Sequence, residues 1–239
     1  MRWLPVLLLL AWPAAASVPT DGLEWVQRQG APVPMDAPLL AGDGTPATLR
    51  GVAGGLPLVL APGYFRCPNL CGVVRDDLAA TLSRSGMTLG RDYAVAVLSI
   101  DPAEGPADAA AVQAGWHALT GPAASVQATT DAIGFHARFD PALRQFLHPA
   151  GVAVLTPGGL VSGYVLGVGY DPAALRDAVR LARGGGQAQA NPVLLLCFHW
   201  DAATGRYTPS VEKMVRAGGV LTVLLILGTL VVAHWTRHP

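Results

Sequence analysis

The sequence PLVLAPGYFRCPNLC, residues 57–71, is the strongest indication of the fold. Its first five residues, 57–61, form a short apolar run between glycines, which predicts a buried β-strand. Beyond it, valine and leucine recur at helical spacing through residues 73–85. Cys67 and Cys71 therefore stand where a strand gives way to a helix. If the helix begins about Pro68, their separation of four residues places both sulfurs on one face, one turn apart.

This cysteine pair has more than one possible role. Unpaired N–H groups and the positive end of the helix dipole favour a thiolate at a helix N-terminus, and Pro68 fits the first turn. Two neighbouring thiolates suit Cu(I) or zinc, and they can also close into a disulfide. A permanent structural disulfide is the alternative, although so short a loop restrains the unfolded chain little. The spacing leaves these alternatives open.

The rest of the sequence predicts a sheet covered by helices. Residues 18–48 are rich in proline and glycine, which predicts an extended segment with a short edge hairpin. The other predicted elements are strands at 93–100, 151–156 and 160–166, and helices at 108–119, 131–139 and 172–183. Asp171 and Pro172 supply the N-cap and first position of the last helix. This order predicts an α/β fold with a thioredoxin-like central sheet flanked by helices.

Apolar segments occur at both ends of the chain. A basic residue, a short apolar run and small residues predict a secretory signal peptide over residues 1–17. Residues 217–233 contain no charged residue and have basic and aromatic flanks, which predicts one C-terminal transmembrane helix. The signal peptide then places the globular part outside the cytoplasm and leaves residues 234–239 inside.

The predicted organisation has five parts. They are the signal peptide at 1–17, a thioredoxin-like domain at 18–190, a juxtamembrane segment at 191–216, the transmembrane helix at 217–233 and a short cytoplasmic tail at 234–239. The formal net charge of zero gives no indication of nucleic-acid binding. Three cysteines in an exported chain allow one disulfide and leave one thiol over.

The histidines are the candidates for a third metal ligand beside the cysteine pair. His234 and His238 lie beyond the predicted span, and His117 and His136 lie on predicted helices. His199 lies beside Cys197 before the membrane, and the two make only a weak case for a second metal site. His148 stands directly before the strand at 151–156. In a thioredoxin-like fold this loop lies across from the cysteine-bearing helix, and two thiolates with one imidazole suit Cu(I).

These segments together resemble the Sco/SenC family of copper-binding proteins of cytochrome oxidase assembly. The matching pieces are YFRCPNLC at 64–71, LSIDP at 98–102, and His148 followed by VAVLTPGG at 152–159. The resemblance implies a thioredoxin-like fold and copper ligation by Cys67, Cys71 and His148. It also implies that the chain supplies copper to, or reduces the thiols of, the binuclear copper site of a haem–copper oxidase.

Two features depart from the family pattern. The acidic run after the SIDP sequence is reduced to Glu104 and Asp108, and the predicted anchor is C-terminal.

From the resemblance we expect a copper metallochaperone, not a turnover enzyme, on the bacterial inner membrane with its domain in the periplasm. Its expected partners are the copper-bearing subunit of cytochrome c oxidase or another copper chaperone, and membrane lipid through the C-terminal helix. The alternative is a thiol–disulfide oxidoreductase in which Cys67 attacks and Cys71 resolves the mixed disulfide.

Overall fold

The computed structural model describes most of the chain between the two apolar ends. The described residues are 23–66, 70–188, 198–201, 206–209, 219–222, 224–226 and 228–229; for 70–71 and for the two strands within 198–209, the backbone alone is described. The predicted signal peptide therefore lies outside the described residues, and so does most of the predicted juxtamembrane segment.

Within 23–209, the described residues form four α-helices and eleven strands. The helices are α1 (Leu49–Ala53), α2 (Leu70–Arg84), α3 (Ala123–Ala132) and α4 (Pro172–Arg183), with a 3₁₀ helix at Pro106–Ala111. The strands are β1 (Leu39–Ala41), β2 (Pro46–Ala47), β3 (Leu58–Gly63), β4 (Ala94–Ser99), β5 (His117–Thr120), β6 (Arg138–Asp140), β7 (Gln145–Leu147), β8 (Gly151–Leu155), β9 (Val161–Leu166), β10 (Phe198–Asp201) and β11 (Arg206–Pro209).

The main sheet has seven strands in the order β2-β1-β5-β4-β3-β8-β9. Strands β3, β4 and β5 are parallel, whereas β8 pairs antiparallel with both β3 and β9. Strand β3 is an inner strand of the sheet, with β4 on one side and β8 on the other. The ends of these three strands therefore meet at one edge of the sheet, and the predicted α/β class with a central sheet is confirmed.

Both faces of the sheet are buried, which explains the continuous apolar runs in its central strands. Successive side chains of a strand point to opposite faces. In β3, Leu58 and Leu60 enter the core beneath α1 and the N-terminal segment, while Val59 packs on the opposite face against α2 and α4. Helix α4 begins as predicted, because the Asp171 carboxylate accepts a hydrogen bond from Ala173 N at 3.0 Å.

Two predicted helices are wrong. Residues 108–119 form the end of a 3₁₀ helix and most of strand β5. Gly115, at φ +83°, interrupts the helical spacing, and the residues after it pair with β4. The helix predicted at 131–139 lies earlier, as α3. It ends just before Gly134, whose φ is +67° and where a Cβ would collide with the carbonyl oxygen of Val26.

The N-terminal segment, residues 23–35, lies across the sheet and is held by residues much later in the chain. Trp25 donates its indole N–H to Ala150 O at 3.2 Å, and its ring packs edge-on against Phe135. Backbone bonds of 2.8 and 2.9 Å join Gly30 N to Val161 O and Val33 N to Gly159 O. This segment is part of the domain core.

The predicted transmembrane helix is only partly covered by the described residues. Those within 217–233 are helical, and the large apolar side chains among them are 53–62% exposed. No helix of the described part of the chain is both long enough and apolar enough to cross a bilayer. The predicted span is therefore not supported and stays a prediction.

Candidate functional site

The candidate site lies at the edge where β3 and β4 end and β8 begins. Strand β3 ends at Gly63, whose carbonyl accepts a hydrogen bond of 2.7 Å from Ile100 N, just past β4. The chain then runs through Tyr64, Phe65 and Arg66 toward the cysteine pair. Helix α2 begins at Leu70. The predicted change from strand to helix across the pair is thus confirmed for the described residues on either side.

The three predicted ligands are covered unequally. Cys67 lies outside the described residues, and Cys71 is placed by its backbone alone, in the first turn of α2. His148 is described in full. Among the residues that the structure describes, no three histidine, cysteine or acidic side chains converge on a possible metal position. The ligand set of Cys67, Cys71 and His148 therefore stays a prediction.

His148 lies beside the end of β3. Its ring stands edge-on to Tyr64 with 5.9 Å between centroids, and tilted on Phe135 at 5.7 Å. A Cβ built on Gly63 would be 3.9 Å from its Cε1. The imidazole thus touches the segment that leads directly into Cys67, as expected for the loop before β8.

One polar contact of His148 bears on which of its ring nitrogens could bind a metal. Its Nδ1 lies 3.2 Å from the carbonyl oxygen of Pro149. In the tautomer that donates from Nδ1 to this oxygen, the lone pair is on Nε2. A ligating histidine commonly donates its other N–H in this way, which fixes the orientation of the ring.

Glu104 supports the same segment from the opposite side, and the sequence analysis missed this role. Its side chain has no solvent exposure. Its two oxygens accept hydrogen bonds from Phe65 N at 2.7 Å, from Arg66 N at 2.6 Å and from the Ser99 hydroxyl at 2.6 Å. Such charge-assisted bonds are short and strong. The backbone immediately before Cys67 is therefore tied to the end of β4.

Two arginines add positive charge around this segment. The guanidinium of Arg66, 57% exposed, lies 3.8 Å from Glu104 and 3.4 Å from Asp108. Arg75, on α2, donates to the carbonyl oxygen of Tyr64 at 3.1 Å. These contacts join the segment before Cys67 to both the 3₁₀ helix and α2.

The other described histidines lie elsewhere. His117, predicted on a helix, is exposed on β5. His136 lines a cavity of about 280 Å³ beyond the ends of β4 and β5, together with Asp101 and Phe135. Of His199, the backbone is described in β10, whereas Cys197 lies outside the described residues. His148 alone of these contacts the segment leading to the cysteine pair.

Comparison with known proteins gives the fold. No protein-family profile and no curated protein sequence matches the chain. Solved structures do match. A protein of Aquifex aeolicus VF5, named for an inferred role in electron transfer, is 28% identical over 66% of this chain and 95% of its own, with a TM-score of 0.59.

Sco proteins match over the same part of the chain. ScoI of Arabidopsis thaliana, solved with copper bound, is 18% identical over 66% of this chain and 99% of its own, with a TM-score of 0.54. BsSco, a Sco-family cytochrome c oxidase assembly protein in which a disulfide switch was identified, is 15% identical over 67% and 96%, with a TM-score of 0.51.

This chain has the Sco/SenC fold. The thioredoxin-like arrangement expected from residues 64–71, 98–102 and 148–159 is confirmed by these matches. In this fold, three adjacent strands bring residues 64–66, Glu104 and His148 to one edge of the sheet. Fold does not determine function, so the chemistry has to be argued from these residues.

Proposed function

We propose that the chain is a copper metallochaperone that binds Cu(I) through the thiolates of Cys67 and Cys71 and the imidazole of His148. The observation that carries the proposal is the placement of His148 against Tyr64 and Gly63, at the start of the segment leading to Cys67. A soft thiolate pair with one imidazole is a donor set that fits Cu(I). Copper bound to ScoI of the same fold supports this choice of metal.

In this proposal copper is cargo. The start of α2 favours the thiolate forms, because backbone N–H groups and the helix dipole stabilise negative charge there. Binding releases the thiol protons to solvent, and the imidazole binds in its neutral form. Delivery is an exchange of ligands, in which thiolates of the receiving protein replace Cys67 and Cys71 one at a time. The proposed receiver is the copper-bearing subunit of a cytochrome c oxidase, directly or through another copper chaperone.

The proposal includes a membrane tether and an exported domain. Both rest on the sequence: the signal-like residues 1–17 and the uncharged residues 217–233. A tether would hold the site on the periplasmic side of the bacterial inner membrane, next to a membrane-bound oxidase and in contact with membrane lipid through the C-terminal helix.

The second candidate is a thiol–disulfide oxidoreductase. The disulfide switch of BsSco, which has the same fold, favours it. In that reaction the Cys67 thiolate attacks a disulfide of the partner and forms a mixed disulfide. Cys71 then attacks Cys67, which releases the partner as a dithiol and leaves a Cys67–Cys71 disulfide. The same step would prepare the thiols of an oxidase copper site.

Replacement of His148 separates these two functions. We expect the full-length chain to bind one Cu(I) in competition with a chromophoric chelator. His148→Ala should weaken Cu(I) binding by more than the roughly 10–100-fold that loss of a supporting residue costs, yet leave disulfide exchange largely intact. His117→Ala, in an exposed position on β5, is the matched control and should bind as the wild type does. Undiminished copper affinity in His148→Ala would show that the three-ligand site is wrong.

A further inference from the structure

Glu104 is a buried carboxylate with every partner provided by the protein. Burial of a charge is costly unless hydrogen bonds compensate for the lost water. Here, Phe65 N and Ser99 Oγ donate to Oε2, while Arg66 N donates to Oε1. A glutamine would present one oxygen and one NH₂ group to the same donors, so it could not accept both backbone hydrogen bonds.

The direction of these bonds bears on the cysteine pair. Two consecutive N–H groups, of Phe65 and Arg66, point to one anion, an arrangement that fixes the backbone of both residues. Cys67 is the next residue in the chain. Glu104 is held in turn by its own backbone, whose N–H donates to Asp101 O at 3.0 Å beyond the end of β4. The loop after β4 is therefore bonded to the last two described residues before Cys67.

We infer that Glu104 is a positioning residue that sets the copper affinity and the thiol–disulfide equilibrium of Cys67 and Cys71 by fixing the backbone before Cys67. The inference rests on the proposed function for its copper part. It assigns no metal contact to Glu104. A residue that orients a ligand in this way typically changes metal affinity about 10–100-fold when it is replaced.

The chain offers a matched control for this inference. Asp77, on α2, also accepts two backbone hydrogen bonds, from Gly169 N at 2.6 Å and Tyr170 N at 3.1 Å. It supports the loop between β9 and α4 instead of the segment before Cys67. Both bonds end on Oδ2, so the amide oxygen of Asp77→Asn can still accept them, and this variant reports the cost of removing a structural charge without losing a backbone hydrogen bond.

The experiment uses the full-length chain as wild type, Glu104→Gln and Asp77→Asn. Three quantities are measured for each: Cu(I) affinity against a chromophoric chelator, the thiol–disulfide equilibrium in glutathione buffers, and unfolding in urea. Glu104→Gln should lower Cu(I) affinity about 10–100-fold and shift the glutathione equilibrium, whereas Asp77→Asn should leave both at their wild-type values. Wild-type affinity and equilibrium in Glu104→Gln would overturn the inference.

Failure of the proposed function is distinguishable in the same experiment. A wild-type chain that binds no Cu(I) contradicts the metallochaperone, and the glutathione equilibrium alone then decides the role of Glu104. If Glu104→Gln does not fold, Glu104→Asp replaces it, because the shorter carboxylate keeps the charge but cannot reach both N–H groups. The same loss in Glu104→Asp supports the inference, and wild-type values overturn it.

Discussion

The two sides of the candidate site are supported by different interactions. On one side, Glu104 holds the backbone before Cys67 through hydrogen bonds of 2.7 and 2.6 Å and accepts a third, of 2.6 Å, from the Ser99 hydroxyl. On the other, the His148 ring packs on Tyr64 and Phe135, with ring centroids 5.9 and 5.7 Å away, and its Nδ1 lies 3.2 Å from the carbonyl oxygen of Pro149. Short bonds to a carboxylate are directional, whereas ring contacts tolerate changes of angle.

Glu104 with residues 65 and 66 forms the carboxylate side of the site, and His148 with Tyr64 and Phe135 forms its aromatic side. The comparison can be tested by weakening each side separately and measuring what is lost.

The largest expected effect is on the aromatic side. Phe135 is 2% exposed, and its ring packs on both Trp25 and His148. Phe135→Ala should lower the free energy of unfolding by about 3–5 kcal/mol, because it removes buried surface and leaves a cavity. Urea unfolding of the full chain measures this. Phe139→Ala, at a half-exposed position on β6, should cost less than about 1 kcal/mol. An equal decrease in the free energy of unfolding in both variants would show that the buried Phe135 ring contributes no more to stability than the half-exposed Phe139 ring.

A smaller effect is expected on the carboxylate side. Ser99→Ala removes one donor to Glu104 but leaves both backbone donors in place. Loss of a hydrogen bond to a charged group should lower the free energy of unfolding by about 1.5–3 kcal/mol. Ser83→Ala, on the exposed face of α2, is the matched control and should change it by about 0.5 kcal/mol or less. A Ser99→Ala variant as stable as this control would show that Glu104 does not need its hydroxyl partner.

The smallest effect is the pH dependence that Tyr164 contributes. Burial is the main cause that raises the pKa of Tyr164, whose ring packs on Trp25, above the ordinary value of 10.0. Above about pH 10 the unfolded chain loses this phenolic proton before the folded chain does. The stability due to Tyr164 is therefore present below pH 10 and is lost as the pH rises through the raised pKa.

Tyr164→Phe tests this sign. The variant loses the hydrogen bond that the hydroxyl donates to Ile133 O at every pH, so its absolute stability is lower throughout. Between about pH 9 and pH 11, however, its free energy of unfolding should fall less steeply than that of the wild type. Parallel curves from urea unfolding across this range would rule out a contribution from Tyr164.

Local sequence patterns predicted the central elements well. The apolar runs at 57–61 and 93–100 became β3 and β4, and the turn residues at 157–159 joined β8 and β9 as expected. The region 108–139 was predicted wrongly because helical spacing outweighed two glycines. Gly115 and Gly134 both have positive φ; the first lies between the 3₁₀ helix and β5, and the second follows the C-cap of α3. These glycines were the available signal.

The site was predictable only in part. The loop of His148 was expected across from the cysteine-bearing helix, and the structure places its ring beside the end of β3. Glu104 was seen merely as the remnant of an acidic run, because its partners Phe65 and Arg66 lie 39 and 38 residues away. Only the alignment of β4 beside β3 brings them together, and no local pattern contains that information.

The position of the N-terminal segment affects the order in which the domain can form its contacts during synthesis. Trp25 is made early, yet the residues that hold it, Phe135 and Ala150, come 110 and 125 positions later. At 5–20 residues per second, the ribosome takes on the order of 10 s to supply them. For that interval the indole lacks its ring and hydrogen-bond partners, although the residues of β3 and α2 have already been made. The segment around Trp25 is thus among the first parts of the domain to be made and among the last to reach all its native contacts.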